Sequence, residues 1–290
     1  MVLFITLICA LLIPSASYAD TGPKPSVNIS FSGLDNMTYY VTILSKTSST
    51  GPYSSYEQDS DRWEEGAENY DIFKKFLSYK DSDGYYFLQF FEKCSNNSSF
   101  KWGYYPPSDF KILLYFPDSD TFAVSSQAYE RYAFDSYYKV DCSKLAISVS
   151  KEPIAITAER SYDYSREVLS LAARIIITIL IELATALIFK YRARPYIKVI
   201  AITNIITQTV LNILLNIVNY KSGPWAVVIS YVFLEILVFA IEAVVYTALF
   251  SGWEKDKAMY KGHPVLYAFA ANTASFVVGR RLANFIPGIF

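Results

Sequence analysis

The sequence predicts two unlike halves: an exported β-rich domain, sandwich-like with a helical insertion, followed by an all-α bundle of four transmembrane helices. Three observations carry this. Four apolar stretches of the roughly 20 residues that a bilayer requires fill the C-terminal part. The segment before them alternates β-branched and aromatic residues with polar ones, in short runs bounded by turn residues. Charge is also segregated: residues 20–167 hold 22 acidic and 15 basic residues, and the remainder is basic, within 290 residues of net charge −1. An acidic outer part with basic inner loops fits a multi-pass membrane protein and argues against a nucleic-acid partner.

Residues 1–19 read as a secretory signal peptide. Val2 to Ile13 is an apolar core, Pro14 and Ser15 break it, and Ser17 and Ala19 are the small residues a cleavage site needs. The n-region lacks Lys and Arg, and the alternative is an uncleaved fifth span, for which about 13 apolar residues are short.

Residues 20–165 form the extracytoplasmic domain. Val27 to Phe31 alternates, Ser32 to Asn36 is turn-like, and Thr38 to Leu44 is rich in β-branched and aromatic residues, which together predict a hairpin. Ser45 to Asn69 is polar and reads as a long loop. Asp71 to Tyr79 and Tyr86 to Cys94 read as short helices, and strands are expected at Lys111–Phe116, Thr121–Ser125, Ala133–Asp141 and Leu145–Val149. An α+β arrangement is the competing architecture. Cys9 leaves with the signal, so Cys94 and Cys142 remain in an exported segment, where an even pair predicts a disulfide; two buried free thiols are the alternative. The many aromatics of this domain are read first as strand-face packing, with sugar or peptide stacking as the other use.

Residues 166–290 are the transmembrane domain, with spans at about 168–189, 197–218, 225–250 and 264–283. Lys190, Arg192, Arg194 and Lys198 crowd the first link and Lys255, Lys257 and Lys261 the third, whereas the second holds only Lys221. The positive-inside rule then makes the first and third links cytoplasmic, and puts the N-terminal domain and the C-terminus outside a cell membrane.

Glu182, Glu235 and Glu242 lie inside these apolar stretches, matched by Asn204, Asn212 and Asn272. An acidic residue at mid-bilayer costs roughly 2.5–3.5 kcal/mol on insertion scales, so an anchor normally lacks one. Counted at about 1.5 Å per residue, Glu182, Glu242, Asn204 and Asn272 each fall about 10–12 Å from the cytoplasmic boundary. A second level, nearer the outside, gathers Asn212, Glu235 and Arg280. Helical phase agrees: Arg174, Thr178 and Glu182 share a face, as do Asn204, Gln208, Asn212 and Asn216, and Tyr231, Glu235, Glu242 and Tyr246. The bland reading is that the asparagines are interhelical glue, worth about 0.6 kcal/mol each, with Arg174–Glu182 or Arg280–Glu235 as structural ion pairs. The functional reading weighs more for the glutamates, because intramembrane carboxylates mark ion paths and proton relays. Facing carboxylates would share a proton or hold a cation, and two carboxylates with two amide oxygens make a hard-oxygen set suited to Na⁺, Ca²⁺ or Mg²⁺.

Other signals fail. Asp81-Ser82-Asp83-Gly84 resembles part of a calcium loop, but Phe90 stands where the closing Glu belongs. Asn28, Asn36 and Asn97 head glycosylation patterns that matter only in a eukaryotic secretory route. The sequence has no HExxH, GxSxG or P-loop, the lone His263 has no partner for a metal, and no cofactor is expected.

Tyr104-Tyr105-Pro106-Pro107, Phe110-Lys111-Ile112-Leu113-Leu114-Tyr115-Phe116-Pro117 and the run Tyr129 to Tyr137, with Thr203-Asn204 and Ala271 to Phe276, resemble a group of uncharacterised four-span membrane proteins of Gram-positive anaerobic bacteria. These carry an exported N-terminal domain. The resemblance implies a bacterial origin and that architecture, and no mechanism.

The expectation is a transport protein, cation- or proton-linked through the polar bundle core. Four spans are few for a carrier, so a homo-oligomer or a partner subunit is expected. The alternative is a non-catalytic sensor or assembly protein whose outer domain binds a ligand or partner. An intramembrane enzyme ranks third, since no nucleophile or metal triad is visible.

Overall fold

The structure, a computed structural model, describes residues 22–59, 62–150, 152–250 and 263–285; the side chains of Arg166, His263, Arg280 and 282–285 lie outside it. The signal-peptide expectation and the third basic link therefore fall outside the described residues.

The N-terminal part is a β-sandwich. One sheet has the order β12-β10-β1-β6, built from β1 (Ser26–Ser32), β6 (Ser99–Trp102), β10 (Asp135–Asp141) and β12 (Ala158–Arg160). The other runs β11-β8-β7-β2-β5, from β2 (Thr38–Ser45), β5 (Glu92–Ser95), β7 (Asp109–Phe116), β8 (Thr121–Ser125) and β11 (Ile154–Ile156), with β9 (Tyr129–Glu130) also on β7. A two-residue ribbon, β3 (Ser49–Thr50) with β4 (Tyr53–Ser54), sits in the polar segment after β2.

The alternation of β7 explains the layering. Phe110, Ile112, Leu114 and Phe116 point into the sandwich, where they meet Val27, Ile29 and Phe31 of β1. Leu113 and Tyr115 point the other way, onto α1 (Tyr70–Ser78) through Phe73 and Phe76. A strand covered on both faces has no solvent side, so β2 and β7 are buried almost throughout. Most of the aromatics do brace this domain: Phe76 alone lies beside Phe87, Phe91, Tyr115 and Phe122. Tyr86, Tyr104, Tyr105 and Tyr137 remain exposed.

Several expectations need correction. β1 and β2 do not form a hairpin; the chain crosses between sheets after Ser32, and β1 pairs in parallel with β10. Tyr86–Cys94 is not a helix. Tyr86 makes an isolated bridge to Ser45 and the segment ends in β5, with Phe87 and Phe91 packed on α1 and Phe90 on Trp102 of the sandwich core. Leu145–Val149 is not a strand; Ser148 offers its carbonyl to the Thr121 hydroxyl at 2.8 Å instead of to a ladder. The disulfide is not formed: Cys94 and Cys142 are buried free thiols in the sandwich core, where they serve as small apolar fillers. The Asp81–Gly84 turn does bind a cation, but it is the ammonium of Lys111. That side chain, 5% exposed, bonds Asp81 at 3.1 Å and also Asp83. Burial opposes its charge, yet the bonds to Asp83 and Asp81 outweigh that and hold its pKa above the ordinary value.

The C-terminal part is a ring of four helices: α2 (Ser165–Ile188), α3 (Arg194–Ser222), α4 (Pro224–Phe250) and α5 (His263–Phe285). Each packs on its neighbour in sequence, and α2 closes the ring against α5. α2, α3 and α4 are long and apolar enough to cross a membrane, and α5 covers the expected fourth span, with Pro264–Gly279 as its apolar stretch among the described residues. Ile176, Leu180, Ile206, Phe233 and Val244 point outward and exposed, which suits lipid and not water. Pro195 occupies the first turn of α3, where its missing N–H costs nothing.

The two parts meet at the α3–α4 turn. The N–H of Phe134 donates to the Tyr220 carbonyl at 2.8 Å, in the last turn of α3, where Pro224 has no N–H to offer it. Tyr162 and Tyr132 flank the Tyr220 ring. Gly223 has φ +80° and ψ −178°, a region closed to side chains, and a Cβ there would stand 2.6 Å from the Phe134 ring.

Candidate functional site

Spacing by four puts Asn204, Gln208 and Asn212 on one face of α3, and all three are buried. The ring of helices turns Thr178 and Glu182 of α2, Glu242 and Tyr246 of α4, and Asn272 of α5 toward the same interior. Glu182, Asn204, Glu242 and Tyr246 are each 0% exposed. No side chain reaches lipid at this level without leaving its partners, so the polar layer is closed by the bundle itself.

Two half-sites make up the layer. In the first, the Asn204 amide nitrogen donates to Glu182 Oε2 at 2.5 Å, and the hydroxyls of Tyr246 and Tyr267 reach the same oxygen at 3.2 and 3.5 Å. Tyr267 also donates to the Glu182 backbone carbonyl at 3.2 Å. In the second, Thr207 donates to Glu242 Oε1 at 2.9 Å and the Asn272 amide nitrogen to Oε2 at 2.6 Å. Asn204 and Thr207 lie on one turn of α3, so a single helix connects the halves. Among the described residues, Glu182 Oε1 and Asn204 Oδ1 are buried with no hydrogen-bond partner. An unmade bond on such a group costs about 1–3 kcal/mol, which a purely structural layer would have no reason to retain.

The structure thus gathers Glu182, Asn204, Glu242 and Asn272 from four helices. It differs from the expected hard-oxygen set in one respect. Both asparagines turn their nitrogens, not their oxygens, toward the carboxylates. Among the described residues no group of three or more His, Cys, Asp or Glu could hold a metal ion.

The second level gathers differently from expectation. Arg174 donates to Asn212 Oδ1 at 2.8 Å, and so reaches α3 and not Glu182. Arg174, Thr178, Gln208, Asn212, Tyr231 and Glu235 line a cavity of about 10 Å³, room for about one water. Asn212 and Glu235 do share this level, while the side chain of Arg280 lies outside the described residues. Arg174 stands where Arg280 was expected, within electrostatic reach of Glu235 and Tyr231.

Sequence reasoning did not assign Thr207, Tyr246 or Tyr267 to the site. Tyr246 was legible from its four-residue spacing to Glu242; Tyr267 was not, since a Tyr in an apolar helix reads equally as packing. Both rings also join an aromatic cluster with Tyr191 and Phe250 that closes the bundle beside the α2–α3 link.

No family model and no curated protein matches the chain. Among solved structures, a crystal structure of a candidate cell adhesion protein from Bacteroides ovatus matches at 11% identity and a TM-score of 0.23. It covers 48% of this chain, which spans 44% of that one.

Proposed function

We propose that the protein is a multi-pass membrane transport protein in which the Glu182–Glu242 layer binds a proton or a cation. The observation that carries this reading is the pair of fully buried glutamates on different helices, with two neighbouring acceptor oxygens left unpaired. A structural layer would complete its hydrogen bonds, whereas a binding layer keeps acceptors for its ligand. The N-terminal domain stands outside the membrane beside the α3–α4 turn, and the basic α2–α3 link faces the cytoplasm. Four helices are few for a carrier, so a second copy or a partner subunit would complete the path.

The test is flux in proteoliposomes. Wild type is expected to carry protons or a monovalent cation under an imposed gradient, and Glu242→Gln to reduce the rate at least 10-fold with the bundle still folded. Equal flux in the two would remove the layer from the transport path, and no flux above that of protein-free liposomes would end the transport reading. A second reading, a sensor that relays ligand binding from the outer domain, is favoured by the Phe134–Tyr220 bond, which ties that domain to a helix end. It predicts no flux in either protein.

A further inference from the structure

We infer that the ligand of this layer is a proton, carried on Glu182 Oε1 and shared with Asn204 Oδ1. This deepens the ion-linked reading and rests on it for its purpose, although not for its chemistry. The two oxygens of Glu182 are treated unequally. Oε2 takes Asn204 and Tyr246 as donors, with the Tyr267 hydroxyl, bonded to the Glu182 backbone carbonyl, 3.5 Å away, and Oε1 takes none. An ionised carboxylate has two equivalent acceptor oxygens, each needing donors in a dry interior. A neutral acid has one accepting carbonyl oxygen and one hydroxyl that donates. The observed pattern is that of the acid, with Oε2 as the carbonyl.

Asn204 supplies the complement. Its nitrogen donates to Oε2, and its second amide hydrogen is directed to the Ile200 carbonyl at 3.1 Å and the Tyr246 hydroxyl at 3.2 Å. Its oxygen is left bare. Donated through the amide hydrogen cis to Oδ1, the bond to Oε2 turns Oδ1 toward Oε1, the placement that the shared proton requires. A proton on Oε1 therefore closes a cyclic acid–amide pair and satisfies both orphaned atoms at once. A metal cation would need more oxygens than these two, and the nearby asparagines present nitrogens.

Glu242 is the contrast. Thr207 donates to one of its oxygens and Asn272 to the other, the pattern of a carboxylate. The groups facing Glu182 are Glu242 and Tyr246 from α4, Tyr267 from α5 and the Asn204 amide from α3. Arg174, on its own helix, is turned to Asn212 two turns away. No cation among these is placed to hold Glu182 ionised. The layer thus holds one proton and one negative charge.

Infrared spectroscopy of the full chain in proteoliposomes at neutral pH tests this. Wild type is expected to show a carboxylic-acid carbonyl band, distinct from the carboxylate bands, that shifts down in D₂O. The band should vanish in Glu182→Gln and persist in Glu242→Gln and Glu235→Gln. Glu182→Gln should also keep the wild-type melting temperature, because its NH₂ replaces the hydroxyl toward Asn204. Should that variant not fold, Asn204→Ala serves: the acid loses its acceptor and the band should move to higher frequency. Absence of the band in wild type, its survival in Glu182→Gln, or its loss on adding Na⁺ would each overturn the proton assignment, the last while leaving ion-linked transport standing. A Glu182 band in a protein without flux would support the proton site and remove the transport reading.

Discussion

Tyr39, Tyr138 and Cys142 sit in one sandwich core, and burial pushes each of their pKa values up to about 12. Their ordinary values are 10.0 for the phenols and 9.0 for the thiol. The folded state therefore keeps protons that the unfolded chain sheds first. Stability from these groups is complete below about pH 9 and is lost as pH rises through 12. Melting followed from pH 8 to pH 12 should show the sandwich domain losing stability across that window, with a smaller loss in Tyr39→Phe and Tyr138→Phe. An equal loss in those variants would mean that these phenols are not buried as described. The same burial explains why the sequence misled on the thiols. An even pair of cysteines in an exported segment signals a bond only if the sulfurs meet. Nothing in the spacing of Cys94 and Cys142 distinguishes that from two apolar fillers in facing sheets.

At the scale of elements, the helices were legible and more than half of the strands were not. A run of 20 apolar residues has one physical use, so the spans expected from 168, 197, 225 and 264 fall on α2, α3, α4 and α5. Short strands lack such a signature. Turn residues such as Gly33 and Asn36 mark a reversal, and the reversal serves a hairpin or a crossing between sheets equally well. β11 and β12 are three-residue strands, below the length at which alternation can be read. The candidate site sits between these cases: helical phase found its four main residues, but the direction in which each amide points is a tertiary property. Gly223 offers an element-scale test, because its backbone is closed to any side chain and Phe134 leaves no room. Gly223→Ala should cost roughly 1–3 kcal/mol and release the Phe134 amide, which hydrogen exchange would show as faster exchange at Phe134 alone in the outer domain. Unchanged protection there would mean that the two parts are not latched at this turn.

For the whole molecule, the two ends of the bundle are told apart by one connection. α2 leaves the β-sandwich, α3 returns to it, and the α3–α4 turn is bonded to Phe134, so Lys221 and the β-sandwich occupy one end of the bundle. Lys190, Arg192 and Arg194 occupy the other. A water-facing sandwich and a cluster of cations cannot exchange ends without dragging both through a bilayer, so the orientation, once set, is fixed. Single cysteines report it cleanly, because the thiols of Cys94 and Cys142 are 4% and 2% exposed and give little background. In intact protoplasts, a membrane-impermeant thiol reagent should label Lys221→Cys and not Arg192→Cys, with the wild-type chain as the blank. After the membrane is permeabilised, both should label. Labelling of Arg192→Cys alone in intact protoplasts would turn the protein over, placing its β-sandwich in the cytoplasm. The Glu182–Asn204 pair would then lie near the outer face, and a proton would reach it from the opposite side.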